Sequence, residues 1–265
     1  MKKLLSIFLV LILSFSLLCF ISCDDSDDKE EYDLELDTPA VAVTKAVDKT
    51  KELDCYHASV ACNIAMQISV MGQPVSVDIP ITMDIKATNT STESPKLYIE
   101  YEMNVFGQVT SSQIYNDSIY TYTFSNGEGT KKANDESAKS YIDSLDELLT
   151  QLPSEIFEGL SFEAVEKGYK LSISIPNDMI SSEIDASIEQ AFEGIAEGIA
   201  VSNMIVDITI NDDGFIVQLD AGFDMALTIQ EMNVTAHASL CATLDNLGST
   251  VTITPPTGYQ DFTEI

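Results

Sequence analysis

Hydrophobic and polar residues alternate along much of this chain. In residues 75–87, "VSVDIPITMDIKA", the odd positions hold Val75, Val77, Ile79, Ile81, Met83, Ile85 and Ala87. The even positions hold Ser76, Asp78, Pro80, Thr82, Asp84 and Lys86. Period two means a strand with one buried face and one wet face. Residues 60–70 alternate in the same way, with Val60, Cys62, Ile64, Met66, Ile68 and Val70 together. So do residues 97–105, with Leu97, Ile99, Tyr101, Met103 and Val105. The short connections "MGQP" (71–74) and "FGQ" (106–108) predict hairpins. Residues 109–116 and 118–124 read as two further strands joined at "YND", and 160–175 as a short hairpin. Later strands are expected at 203–211, 215–229 and 233–245, with a short one at 250–254. The fifteen-residue run 215–229 puts Phe215, Val217, Leu219, Ala221, Phe223, Met225, Leu227 and Ile229 on one face.

Elsewhere the period changes. In 38–53, Val43, Ala46, Val47 and Leu53 share a helical face, Thr38 suits the N-cap and Pro39 the first turn. Residues 135–152 carry a stripe of Ile142, Leu145, Leu148, Leu149 and Leu152. Residues 176–200 carry Ile180, Ile184, Ile188, Phe192, Ile195 and Ile199 at intervals of three or four, with acids opposite. Gly194 and Gly198 weaken that helix by roughly 1 kcal/mol each relative to Ala. The expected fold is α+β: one long curved antiparallel sheet, an incomplete barrel of about 9–11 strands. An N-terminal helix and two central helices would cover its concave face.

The N-terminus reads differently. Lys2 and Lys3 precede an apolar run, Leu4 to Ile21, and Ser22 then precedes Cys23. This resembles a bacterial lipoprotein signal, in which a small residue stands directly before the lipid-modified cysteine. Phe20 departs from the Leu usual at that place. Cleavage would remove residues 1–22 and leave Cys23 as a lipid anchor to a membrane of the cell envelope. An uncleaved membrane-spanning helix is the alternative, since the apolar run nearly spans a bilayer. Residues 23–37 follow as the lipidated cysteine and an acidic tether, "DDSDDKEEYDLELD", too charged to bury a core. A calcium loop is a poor fit, because the glycine turn and terminal glutamate of an EF-hand are missing. Residues 38–265 form one domain.

The formal charge is −30, with 43 acids against 13 lysines and no arginine. That argues against nucleic acid and against a basic patch for anionic headgroups. It leaves open the burial of apolar tails.

The element order, the lipidated N-terminus and the closing "ITPPTGY" (253–259) together resemble the Lol-type and mycobacterial lipid-carrier lipoproteins. That resemblance implies a half-barrel whose concave face holds acyl chains under helical lids, with no catalytic residues and no cofactor. The arginine some Lol-type carriers use has no counterpart here. The implied ligand is a lipid or another hydrophobic small molecule. The cavity-lining candidates are Ile64, Met66, Ile68, Val77, Ile79, Ile81, Met83, Ile99, Tyr101, Met103, Ile184, Ile188, Phe192, Ile195, Leu219, Phe223 and Met225. Methionine-rich surfaces adapt to varied apolar ligands. A packed core would produce the same alternation, so a surface lipoprotein acting through protein contacts is the rival reading.

Cys55, Cys62 and Cys241 follow the anchor. Parity sets Cys62 on the apolar face as a buried thiol and makes Cys55–Cys241 the better disulfide candidate. His57 and His237 lie near those two cysteines in sequence, but neither spacing is a zinc pattern, and no metal site is expected. No GxSxG, HExxH or P-loop motif is present, so the chain is not expected to be an enzyme. The aromatic hairpin of Tyr115, Tyr120, Tyr122 and Phe124 reads as strand packing.

Overall fold

The computed structural model describes residues 38–70, 73–90, 95–105, 107–134, 154–166, 168–177, 197–229 and 232–265. Their core element is one open sheet of twelve strands, curved and unclosed. In chain order the strands are β1 (Cys55–Val70), β2 (Gln73–Thr88), β3 (Lys96–Val105), β4 (Gln108–Asn116), β5 (Tyr120–Ser125) and β6 (Glu128–Ala133). They continue with β7 (Glu163–Val165), β8 (Gly168–Ile175), β9 (Glu197–Ile210), β10 (Ile216–Ile229), β11 (Met232–Asp245) and β12 (Thr263–Glu264). The spatial order is β12-β6-β5-β4-β3-β2-β1-β11-β10-β9-β8-β7. Every pairing is antiparallel except β12 with β6, which is parallel.

Register follows the hydrophobic alternation. Across the centre, Ile64 of β1 stands opposite Ile79 of β2 and Ala238 of β11, and Cys62 opposite Ile81 and Leu240. Phe223 of β10 then meets Ala238. A slip by one residue would turn each of these rows to water, so the alternation fixes the parity of the pairing. The inner face so formed is continuous with the core, from Met103 on β3 to Ile173 on β8.

Helix α1 (Pro39–Lys51) starts where Thr38 caps it, accepting from the Val41 amide at 3.5 Å. It buries Ala42, Val43, Ala46 and Val47, and Leu53 just beyond it, as the 3.6-residue stripe requires. Its C-terminal end is pinned to the start of β10. The buried Thr50 hydroxyl donates to the Ala46 carbonyl at 2.6 Å and accepts from the Ile216 amide at 3.0 Å. Lys49 donates to the Asp213 carbonyl at 2.5 Å, with its ammonium 4.9 Å from the Phe215 ring centre. A 3-10 turn, Ser154–Phe157, packs between α1 and β8 with Ile156 in the core.

Several expectations change. The sheet has twelve strands rather than 9–11. The "SNGE" turn carries Asn126 at φ 54° and Gly127 at φ 82°, which suits a two-residue hairpin, and it creates β6 from a segment with no apolar alternation. Residues 250–254 are not a strand; Ile253 packs over the outer face and the chain pairs later, as β12. Glu197–Ala200, expected at the end of a helix, opens β9 and pairs with Ala226 and Thr228 of β10. Gly198 is a weak helix former, and sheet pairing overrides the local pattern. Pro176 and Asn177 are not helical; residues 178–196 and the whole of 135–152 lie outside the described residues, which contain one α-helix.

Candidate functional site

The inner face of the sheet has two unlike ends. Near α1 it is closed: Ala58, Ala87, Leu53 and Leu244 are buried, and Leu97 packs against them. At the opposite end lie the β1–β2, β3–β4 and β10–β11 connections, and there the apolar layer emerges. Along β2 the inward positions pass from Ile79 at 2% exposed, through Val77 at 5%, to Val75 at 44%. On β1, Ile64 is buried, whereas Met66 and Ile68 are half-buried. Val105 is half-buried at the end of β3. The inward parity ends in amides, with Gln73 paired to Val70 and Gln108 to Val105.

Of the cavity-lining candidates, Ile64, Met66, Ile68, Val77, Ile79, Ile81, Met83, Ile99, Tyr101, Met103, Leu219, Phe223 and Met225 all belong to this one core. Ile184, Ile188, Phe192, Ile195 and Cys23, the expected site of lipidation, lie outside the described residues.

The outer face carries most of the polar chemistry. His57 bridges three strands: Nδ1 lies 2.7 Å from Asp245 on β11 and Nε2 2.5 Å from Asp84 on β2. Lys86 holds the other Asp84 oxygen at 2.6 Å. Burial alone would lower the His57 pKa, but the hydrogen bonds and charges of the two carboxylates together outweigh it and hold it above the ordinary value. Burial likewise opposes ionisation of Asp84, and His57 and Lys86 overcome it, leaving its pKa below the usual range. Farther along the sheet, Asp224 takes hydrogen bonds from the Asn203 amide and His237, each at 2.7 Å, which lower its pKa.

Between these clusters the outer face is dished into an open depression of about 760 Å³. Ala61, Asn63, Gly222 and Ser239 give it a low floor. Its carboxylates have partners: Lys170 lies 2.6 Å from Asp207, and Gln218 donates to Asp220 at 2.8 Å.

The proposed Cys55–Cys241 disulfide is corrected. All three described cysteines are free. Cys241 stands opposite Ala61, six residues along β1 from Cys55, which is about 20 Å. Cys55 instead donates to the Ser249 carbonyl at 2.6 Å. Burial pushes the Cys62 thiol up to about 11. Burial first, and then Asp220, does the same for Cys241. His237 stands opposite Ala65, eight residues along β1 from His57, so the two histidines are about 26 Å apart.

The aromatic hairpin packs under a C-terminal cover that its own alternation does not encode. Tyr98, Tyr115 and Tyr122 form a second, small core on the outer face, covered by Ile253, Tyr259 and Phe262 of the C-terminal segment. Tyr259 meets Tyr115 and Tyr122 edge-on, at 5.4 and 4.9 Å between centroids. The Tyr122 hydroxyl donates to Asp117 at 3.0 Å; burial and then this carboxylate push its pKa up to about 12.

Residues 40–258 match a family described as a family of unknown function, DUF6612. The chain belongs to DUF6612. The DUF6612 match spans α1 and β1–β11, with the inner face and its open end, and stops short of Tyr259 and β12. No curated protein matches the sequence. Among solved structures, LprF from Mycobacterium bovis is similar at 17% identity and a TM-score of 0.43, covering 83% of this chain and 97% of its own. A DUF1329 family protein from Desulfovibrio piger is similar at 10% identity and TM-score 0.25, covering 82% and 95%. The ywiB protein from Bacillus subtilis follows at 5% identity and TM-score 0.21, covering 71% and 92%. These likenesses are too distant to carry fold or function to the DUF6612 chain.

Proposed function

We propose that this chain is a cell-envelope lipoprotein that receives the apolar part of a lipid, or a similar hydrophobic molecule, against the inner face of its sheet. The observation that carries the reading is the gradient along β2. The inward residues run from Ile79 at 2% to Val75 at 44% exposed, so along β2 the apolar layer passes from buried to open toward the β1–β2 turn. A tail entering beside Val75 and Ile68 would meet flexible Met66 and Met225, and then Met103, farther in. Each buried methylene of such a tail is worth about 0.8 kcal/mol. The Ser22–Cys23 junction supports an acyl anchor, and the acidic residues 24–37 would extend to roughly 45–50 Å of reach. The function is binding rather than catalysis; the polar clusters on the outer face join neighbouring strands.

The test uses the chain from Asp24 onward, which contains the twelve described strands and α1. Organic extraction of the purified protein followed by mass spectrometry should reveal stoichiometric lipid. The stripped protein should take up an uncharged solvatochromic dye, and Val75→Asp should weaken that uptake. Protein that carries no lipid and takes up no dye removes the proposal. The outcome would then favour a packed core acting through protein contacts, a reading supported by the near-complete burial of Ile64, Ile79 and Ile81.

A further inference from the structure

At its open end the sheet projects a tongue. Ile81 of β2 stands opposite Met103 of β3, so β3 and β4 end level with Ile79. β1, β2, β10 and β11 run on, to Val70, Gln73, Ile229 and Met232. Gln73 lies six residues beyond Ile79, about 20 Å. Over that length β2 pairs with β1 alone among the described residues. Pro74 and Pro80 stand there, as suits a strand whose other edge faces solvent.

The four strands of the tongue are uncharged toward its tip. The last outer row with charge is Asp78, Ala65, His237 and Asp224. Beyond it, residues 66–70, 73–77, 225–229 and 232–236 hold no Asp, Glu, Lys, Arg or His. Outward, they present exposed Gln67, Ser76 and Thr235. Inward, they present exposed Val75 with half-buried Ile68 and Met232. Two acids flank them: Glu197, which opens β9 opposite Thr228, and Glu231 in the β10–β11 turn.

This composition fits the interface between water and hydrocarbon. The inner side is apolar, the outer side is hydroxyl and amide, and these rows have no charge to strip of water. A protein partner is met by Trp, Tyr or Arg anchors, and these rows hold none. The free edge of β2 keeps the contact in the interfacial layer, since unpaired backbone groups are not tolerated in hydrocarbon. The flanking acids and the net charge of −30 favour a zwitterionic surface over an anionic one. The reach also matches. From Ile216, where Thr50 ties α1 to β10, to Ile229 is thirteen residues, about 43 Å. The extended acidic residues 24–37 span roughly 45–50 Å, so the anchor and the tongue can meet one membrane.

Resting on the ligand reading above, whose lipid source it names, we infer that the tongue docks into the interfacial layer of a zwitterionic membrane.

The chain contains no tryptophan, so one substitution places a single indole. Val75→Trp and Met232→Trp probe the tongue. Ile205→Trp, on the outer face opposite Gly222, is the comparison, since Ile205 is 51% exposed. Each variant, from Asp24 onward, carries an N-terminal hexahistidine tag in place of the anchor. The tag holds it on dioleoylphosphatidylcholine vesicles through a nickel-chelating lipid. Emission from positions 75 and 232 should shift to the blue. Dibrominated phosphatidylcholine should quench it several-fold more than emission from position 205. Adding Ile68→Asp to Val75→Trp should remove that difference. Imidazole then releases the protein: quenching by the membrane ends, whereas quenching by lipid carried on the inner face persists. Equal quenching at all three positions, or quenching that survives release in full, overturns the docking inference alone. Uptake of the solvatochromic dye is measured on the same variants without vesicles. Docking without dye uptake supports the membrane contact and overturns the ligand reading; neither result obtained overturns both.

Discussion

The ring of Phe262 occupies the space into which any side chain at position 129 would grow. Phe262 also stacks on Phe124 at 5.9 Å and 21°. The glycine on β6 and the aromatic on the C-terminal strap are thus one device, which seats β12 on the β6 edge. An edge covered in this way is closed to pairing with other chains. Gly129→Ala should push the ring aside and cost on the order of 1–3 kcal/mol in urea unfolding. Phe262→Ala should cost a similar amount through lost packing. The double variant should fall well short of the sum, because both changes disrupt one contact. Full additivity would show that the two residues act independently.

His57 links stability to pH. Its folded pKa is raised above 6.5, so its contribution is complete below 6.5 and is lost as pH rises through the folded value. The folded pKa of Asp84 is lowered below 3.8, so its contribution holds above 3.8 and is lost as pH falls through the folded value. The difference in unfolding free energy between the unaltered protein and His57→Gln should therefore be largest between 3.8 and 6.5, at about 1 kcal/mol, and shrink toward pH 8. Urea titrations across that range measure it, and a difference that grows with pH would contradict the bridge.

The two ends of the inner face should respond differently to truncation. Ile79→Ala, at a fully packed place, should cost about 2–5 kcal/mol. Val75→Ala, at the open end, should stay within about 0.5 kcal/mol. Similar costs for both would mean that the apolar layer is closed at each end.

Thiol chemistry offers a fourth check. With pKa values near 11, Cys62 and Cys241 should be thiolate to only about one part in a thousand at pH 8, and should alkylate slowly in the folded protein. Unfolding should expose Cys55, Cys62 and Cys241 to rapid alkylation, detected by mass. Mild oxidation should not join Cys55 to Cys241, since six residues of β1 separate them.

Sequence determined the strands with strong alternation, β1–β3, β10 and β11, and which side of each faces inward. It did so because a strand's side chains alternate strictly, so burial writes itself into the order of letters. It determined α1 for the same reason at a period of 3.6. It also contained the signal for β6, the Asn126–Gly127 pair, which lies outside any hydrophobic pattern.

Only the tertiary structure decided how those strands sit beside one another. Cys241 lies opposite Ala61 rather than Cys55, because register along a sixteen-residue strand is set by its neighbours and not by parity. The Tyr98–Tyr115–Tyr122 core depends on Tyr259 and Phe262 returning from the far end of the chain, a contact that no local period encodes. The gathering of Lys86, Lys96, Lys131 and Lys170 toward the α1 end of the sheet belongs to both levels. The sequence sets where the lysines stand on each strand; antiparallel pairing, by reversing direction at each turn, brings them to the same end.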